Sequence, residues 1–126
     1  MAVKSSGPQD WKPVEWIGSS RSDLRSFPKT ARIIVGQALV YAQAGSKHPD
    51  AKQMKGKLAG VMEICAGTKG QAYRAVYVTR FRDVVYVLHA FHKKSTKGIK
   101  TPKHEQETIE TRLKAAKKHY EKDHKN

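Results

Sequence analysis

The sequence predicts an α+β fold in which a small curved antiparallel β-sheet carries an N-terminal helical hairpin and a C-terminal helix. Three observations predict this class. Apolar residues repeat at helical spacing on either side of Pro28, alternate with period two between residues 61 and 91, and return to helical spacing after Thr101. The 126 residues have room for one domain. We expect that domain to span residues 13–126, after a disordered tail at residues 1–12.

The first part of the chain is predicted to form one strand and two helices. Residues 14–17 are typical of a short strand, and Ser19 or Ser20 is positioned to cap the first helix. Pro28 suits the first turn of the second helix, which Gly45 ends. The apolar face of the second helix is expected to contain Ile33, Ile34, Gln37, Ala38, Tyr41 and Ala42.

Three further strands are predicted at residues 61–65, 72–80 and 84–91, after a polar, lysine-rich loop at residues 46–57. The last of these strands is almost continuously apolar, as is typical of a central strand. Alternation in the strand before it predicts one face made by Tyr73, Ala75 and Tyr77, and an opposite face made by Arg74, Val76 and Val78.

The last helix is predicted to begin at Thr101 and Pro102, after a basic loop at residues 92–100. Its apolar residues recur every three or four positions, so that one stripe docks on the sheet while the rest is solvated. The stripe consists of Ile109, Leu113, Ala116 and Tyr120.

Charge is the strongest compositional signal. The chain has 25 Lys and Arg against 11 Asp and Glu, a formal net charge of +14. The excess lies in the middle, where Asp50, Glu63 and Asp83 are the only acids between Lys47 and Lys103. Such a field attracts polyanions, and nucleic acid is therefore the predicted partner class.

Several other classes are disfavoured. The single cysteine, Cys65, excludes an internal disulfide and a cysteine-cluster metal site, and its apolar surroundings predict a small core residue. Glycine-rich phosphate loops and clustered carboxylates are missing, so no metal or cofactor is expected. No apolar run has the length of a membrane span or a signal peptide, which predicts a cytoplasmic protein without a membrane partner.

A cationic surface with interspersed aromatic rings remains as the candidate site. Two functions suit such a surface: binding of RNA alone, or metal-free RNA cleavage in which a 2′-hydroxyl attacks its own phosphate. The residues that contribute to the surface are Lys55, Lys57, Tyr73, Arg74, Tyr77, His92, Lys93 and Lys94.

Each of these residues also has a structural interpretation. Arg74 lies inside an apolar strand, and a salt bridge to Glu63 on the neighbouring strand is as good an explanation as catalysis. Tyr77 is expected to pack in the core, and Lys93 and Lys94 could be solvated charges. His89 is expected to be a hydrogen-bonded core histidine, facing away from His92.

Six short motifs occur in an order and spacing that closely resemble the phage-associated HigB-like branch of the RelE/ParE toxin superfamily. The resemblance covers the chain from about Pro13 to Tyr120. The motifs are Val14-Glu-Trp-Ile-Gly-Ser-Ser, Asp23-Leu-Arg-Ser-Phe-Pro, Met54-Lys-Gly, Val61-Met-Glu-Ile, Tyr73-Arg-Ala-Val-Tyr and Val85-Tyr-Val-Leu-His-Ala-Phe-His-Lys-Lys-Ser.

The resemblance implies a microbial-ribonuclease-like fold and the toxin of a type II toxin–antitoxin pair. Relatives of the RelE type cleave mRNA on the ribosome without metal, and the antitoxin in this branch is typically a small helix-turn-helix protein, HigA-like. The implied catalytic residues are Arg74, at the scissile phosphate, with Lys55, His92 and Lys94. The implied RNA-binding residues are Lys57, Tyr73, Arg80, Lys93 and Lys97.

The sequence departs from the family pattern at two positions. Cys65 stands where a basic residue is expected, which removes one phosphate contact. His92 replaces a usual glutamine, either as a better general acid or as a neutral change. The alternative functions are a ParE-like inhibitor of DNA gyrase and a basic nucleic-acid-binding module without chemistry. Relatives of the ParE type lack the basic cluster around Arg74.

Overall fold

The computed structural model describes residues 11–68, 71–93 and 101–123. The elements follow the predicted order, and the α+β class is confirmed. They are strand β1 (Val14–Trp16), helices α1 (Ser20–Arg25) and α2 (Lys29–Gln43), strand β2 (Lys52–Gln53), a 3-10 turn (Gly56–Leu58), strands β3 (Val61–Thr68), β4 (Gln71–Val78) and β5 (Val85–Lys93), and helix α3 (Lys103–Asp123).

The five strands form one sheet in the order β1-β5-β4-β3-β2. Strands β2 to β5 are antiparallel to their neighbours, whereas β1 pairs in parallel with β5, Val14 opposite Val85. This parallel edge strand is an addition to the predicted antiparallel sheet. The very short β2 lies inside the segment that was predicted as a loop, where Lys52 pairs with Glu63.

The sheet buries a core on each of its faces. Helices α1 and α2 pack on one face, where Ala75 and Tyr77 of β4 are buried with Val35 of α2. Helix α3 packs on the other face, where Val76 of β4 is buried with Ile109. The predicted alternation along β4 is thereby confirmed. Residues 85–91 are all buried, which confirms β5 as a central strand.

Both long helices contact the sheet through a narrow stripe. In α3 the predicted stripe is confirmed, with Ile109 and Ala116 fully buried. In α2 the contact face is rotated from the prediction: Ile33 is 49% exposed and Tyr41 is 41% exposed. Small residues, which let the helix approach the sheet closely, occupy much of the contact face. The buried residues of α2 are Ala31, Val35, Ala38, Leu39 and Ala42.

Segment boundaries differ from the prediction in three places. Strand β5 continues through His92 and Lys93, which had been assigned to the basic loop. Within the predicted tail, Lys12 exchanges hydrogen bonds with Gln43, one backbone to backbone and one from the Gln43 side chain. Residues 1–10, 69–70, 94–100 and 124–126 lie outside the described part of the chain. They include most of the predicted tail and most of the predicted basic loop.

The prediction for Cys65 is wrong, because its side chain is exposed. Cys65 pairs with Arg74 and shares the sheet face on which α3 packs. Among the residues that the structure describes, that helix packs chiefly against β5, two strands away, and leaves Cys65 exposed. No helix in the described segments is long and apolar enough to cross a membrane.

Candidate functional site

Part of the sheet face on which α3 packs is not covered by that helix, and it carries Arg74 and Lys93 of the predicted site residues. Across the sheet, Cys65, Arg74 and Phe91 are direct partners on β3, β4 and β5. Because side chains alternate along each strand, positions two residues away share their face. We call this surface the open face; it consists of exposed Lys52 and Cys65, partly buried Glu63 and Lys93, and buried Arg74.

Arg74 is the buried cation of the open face, and its side chain is 9% exposed. Its Nη1 donates a hydrogen bond of 2.9 Å to Oε2 of Glu63, whose side chain is 18% exposed. The predicted salt bridge between strands is therefore present. A charge-assisted bond of this kind fixes the direction of the guanidinium.

The lysines of the open face lie around this pair. Lys52 on β2 is the direct cross-strand partner of Glu63 and is exposed. Lys57, also exposed, lies in the 3-10 turn that leads into β3, and exposed Lys55 directly precedes that turn. The turn is anchored to the α3-side core by the buried Leu58. These lysines therefore extend the positive charge from the centre of the sheet to its β2 edge.

Lys52 is a residue that the sequence interpretation missed. The sequence predicts a loop in its segment, because two exposed residues give no periodicity. The available signal was its position three residues before Lys55, in a chain with few acids nearby.

Tyr73 and His92, both predicted site residues, lie on the sheet face opposite Arg74. Tyr73 pairs with His92, and their rings stack with centroids 4.4 Å apart and an angle of 14° between planes. Tyr73 also contacts Phe27, at 5.0 Å between ring centroids. His92 is exposed, and its Nε2 lies 2.5 Å from Oε1 of Gln71. The predicted catalytic set is thus divided, with Arg74 on one face of the sheet and His92 on the other.

The remaining predicted site residues are dispersed. Lys93, partly buried, ends β5 on the open face. Arg80 lies beyond the far end of β4, where its guanidinium carbon is 5.8 Å from the centre of the Phe81 ring. Lys94 and Lys97 lie outside the described residues.

Two residues of the middle segment have structural roles, as predicted. Burial raises the pKa of Tyr77 to about 12, so this phenol is unsuited to proton transfer near neutral pH. His89 is buried, with its Nε2 2.5 Å from Oε1 of Glu105 and its Nδ1 3.3 Å from Nη1 of Arg112. These bonds tie α3 to β5 and keep His89 out of the open face.

Solved structures show which class of fold this sheet and its helices define. Toxin RelE of E. coli, solved as a double mutant in the free state, is similar to this chain with a TM-score of 0.55 and 15% sequence identity. The alignment covers 83% of this chain and 97% of RelE. RelE2, in the toxin–antitoxin complex RelBE2 from Mycobacterium tuberculosis, is similar with a TM-score of 0.47 and 21% identity, over 66% of this chain and 99% of that one. The fold is that of toxin RelE, and the predicted RelE-like fold is confirmed.

Residues 22–114 match the family model described as Phage derived protein Gp49-like, and the chain belongs to this family. No curated protein matches the sequence. The HigB-like branch stays a prediction.

Proposed function

We propose that this chain is the toxin of a type II toxin–antitoxin pair, of the HigB-like branch, and that it cleaves mRNA on the ribosome without metal. The observation that carries the proposal is the Arg74 guanidinium, held by Glu63 at 2.9 Å in the middle of a lysine-rich open face. The RelE fold and the Gp49-like family support it. The lysines of a basic surface can bind the phosphates of an RNA strand and hold one of those phosphates against the fixed Arg74 cation.

In the proposed reaction an RNA 2′-hydroxyl attacks the adjacent phosphate, and Arg74 stabilises the charge that develops on the phosphorane. Lys52, Lys55, Lys57 and Lys93 hold neighbouring phosphates along the strand. Multiple phosphate contacts make binding tight and sensitive to salt.

His92 and Lys94 are proposed as proton donors to the leaving 5′-oxygen, with Lys97 as a phosphate contact beyond β5. Since His92 shares its face with Tyr73 and not with Arg74, RNA that reaches both residues has to pass around the end of β5. The Tyr73–His92 stack offers a platform for a base at that point. Arg80 is proposed only as a distant phosphate contact.

The proposed partners are a HigA-like helix-turn-helix antitoxin, the ribosome and mRNA, all met in the cytoplasm. A chain of net charge +14 with an open cationic face binds an acidic partner most favourably. No cofactor is part of the proposal.

Expression in growing cells followed by mapping of mRNA 5′ ends tests the proposal. Cuts in phase with codons inside coding regions are expected, together with poor cleavage of short protein-free RNA, because substrate positioning is supplied by the ribosome. Intact mRNA with broken chromosomal DNA would instead show a gyrase inhibitor. Intact mRNA and DNA would leave a binding module without chemistry.

A further inference from the structure

We propose that Glu63 is the general base of the reaction, taking the proton from the attacking 2′-hydroxyl while Arg74 binds the phosphate. This inference rests on the proposed ribonuclease function. It gives Glu63 a chemical role in addition to the salt bridge that positions Arg74.

The Glu63–Arg74 geometry suits two neighbouring atoms of one nucleotide. A base acts at hydrogen-bond distance from the proton that it removes, about 2.6–3.2 Å between heavy atoms. The attacking 2′-oxygen and the scissile phosphate belong to the same nucleotide, so the base and the phosphate-binding cation have to lie side by side. Oε2 of Glu63 and Nη1 of Arg74 are 2.9 Å apart.

Glu63 can also be reached from solvent. Its side chain is 18% exposed, and it lies on the open face between exposed Lys52 and exposed Cys65. Lys52 is its direct cross-strand partner, and Cys65 follows two positions along the same strand. An RNA strand held by the lysines of the open face would therefore pass over the Glu63 carboxylate.

The other acids of the basic middle segment are placed elsewhere. Asp83 accepts a hydrogen bond of 3.1 Å from the Tyr120 hydroxyl, in the turn after β4, and Asp50 is exposed in the loop before β2. Of the three acids between Lys47 and Lys103, Glu63 alone lies on a strand.

At neutral pH a carboxyl group is in its proton-accepting form far more often than a lysine is. An ordinary lysine, with a pKa near 10.4, is neutral in roughly one molecule in 10³ at pH 7, whereas an ordinary carboxyl group is almost fully ionised. A lysine base therefore needs a large fall in pKa before it can act, and a carboxylate needs none.

The cleavage step is an internal transesterification of the RNA phosphate. The 2′-oxygen forms a bond to phosphorus as Glu63 accepts its proton, and the bond from phosphorus to the 5′-oxygen breaks. A protonated side chain or a water molecule gives a proton to the leaving oxygen, and the protonated carboxyl later returns its proton to solvent. The products are a 2′,3′-cyclic phosphate and a 5′-hydroxyl.

Glu63→Gln separates the base from a positioning role. The amide oxygen still accepts a hydrogen bond from Arg74, but it does not take up a proton. We expect single-turnover cleavage on mRNA-programmed ribosomes to fall about 10²- to 10⁴-fold, with ribosome affinity unchanged. Glu15→Gln is the matched control, since exposed Glu15 pairs with Tyr86 on the same sheet face at the opposite edge, and its rate should stay within about twofold of wild type.

Glu63→Asp keeps a carboxylate with a shorter reach, and it should cleave faster than Glu63→Gln at a similar melting temperature. Cleavage by Glu63→Gln within about tenfold of wild type would overturn the assignment. Equal loss of activity in both variants, tracking a lower melting temperature, would show a structural bridge and also overturn it. If wild-type protein leaves ribosome-bound mRNA intact, the proposed function itself fails, an outcome distinct from an active wild type with an active Glu63→Gln.

Discussion

Arg74 reaches diagonally across to Glu63, which is opposite Val76, two residues further along β4 than Arg74. The diagonal ion pair, at 2.9 Å, leaves the direct cross-strand partner of Arg74, the exposed Cys65, beside it on the same face. The Glu63 carboxylate thus fixes the direction of the guanidinium.

Arg74→Ala should abolish growth inhibition. Removal of one donor to transition-state charge costs about 2.7–4 kcal/mol, or roughly a hundred- to a thousandfold in rate. The same variant should also lower the melting temperature, because it leaves the partly buried Glu63 carboxylate without its partner. Loss of toxicity in this variant alone therefore does not separate catalysis from stability.

Arg74→Lys makes that separation. The lysine keeps a positive charge beside Glu63, so the melting temperature should stay near that of wild type, but a point charge cannot reproduce the guanidinium fork. Cleavage should recover only in part. The double variant Arg74→Ala with Glu63→Ala should regain stability over Arg74→Ala and remain inactive. If Arg74→Ala is folded and still fully toxic, Arg74 is not at the active site.

The cognate antitoxin should bind through a surface rich in Asp and Glu, and its affinity should fall as salt is added. Lys55→Gln combined with Lys57→Gln should make that salt dependence shallower, because both lysines are exposed, one directly before the 3-10 turn and one within it. Calorimetric titrations at low and high salt measure the effect. An affinity that does not change with salt would contradict an electrostatic interface.

The sequence predicted the faces of β4 correctly because successive side chains of a strand point to opposite faces, with Arg74 as the polar residue on the face of Val76 and Val78. It did not predict β2, whose two exposed residues, Lys52 and Gln53, give no periodicity. It also did not show that Cys65 is exposed, since that depends on where α3 docks. The structure places Arg74 and His92 on opposite sheet faces, because β5 extends through Lys93 and His92 is therefore part of the strand. Local patterns thus predicted elements and faces, whereas tertiary contacts decided which residues share the open face.

Tyr77 should make the stability of the fold sensitive to alkali. Burial raises its pKa from 10.0 to about 12, so the folded state resists ionisation of the phenol more than the unfolded state does. The corresponding stability is fully present below pH 10 and is lost as the pH rises from about 10 to about 12. A shift of this size is equivalent to roughly 1–3 kcal/mol. Tyr77→Phe should unfold less steeply with pH in that window, as followed by denaturant melts, and identical slopes would contradict the role of this phenol.

Cys65→Arg should strengthen RNA binding, because Cys65 occupies an exposed position of the open face where the superfamily resemblance leads us to expect a basic residue. One added phosphate contact should steepen the plot of log affinity against log salt by about 0.7 for a single strand. The new charge lies directly across from Arg74, and like charges at that distance should cost a few tenths of a kcal/mol in stability.

A short single-stranded DNA, which lacks the 2′-hydroxyl, serves as an uncleavable probe. Cys65→Ser, which adds no charge, should leave the slope unchanged, and an unchanged slope for Cys65→Arg would show that nucleic acid does not cross this part of the open face.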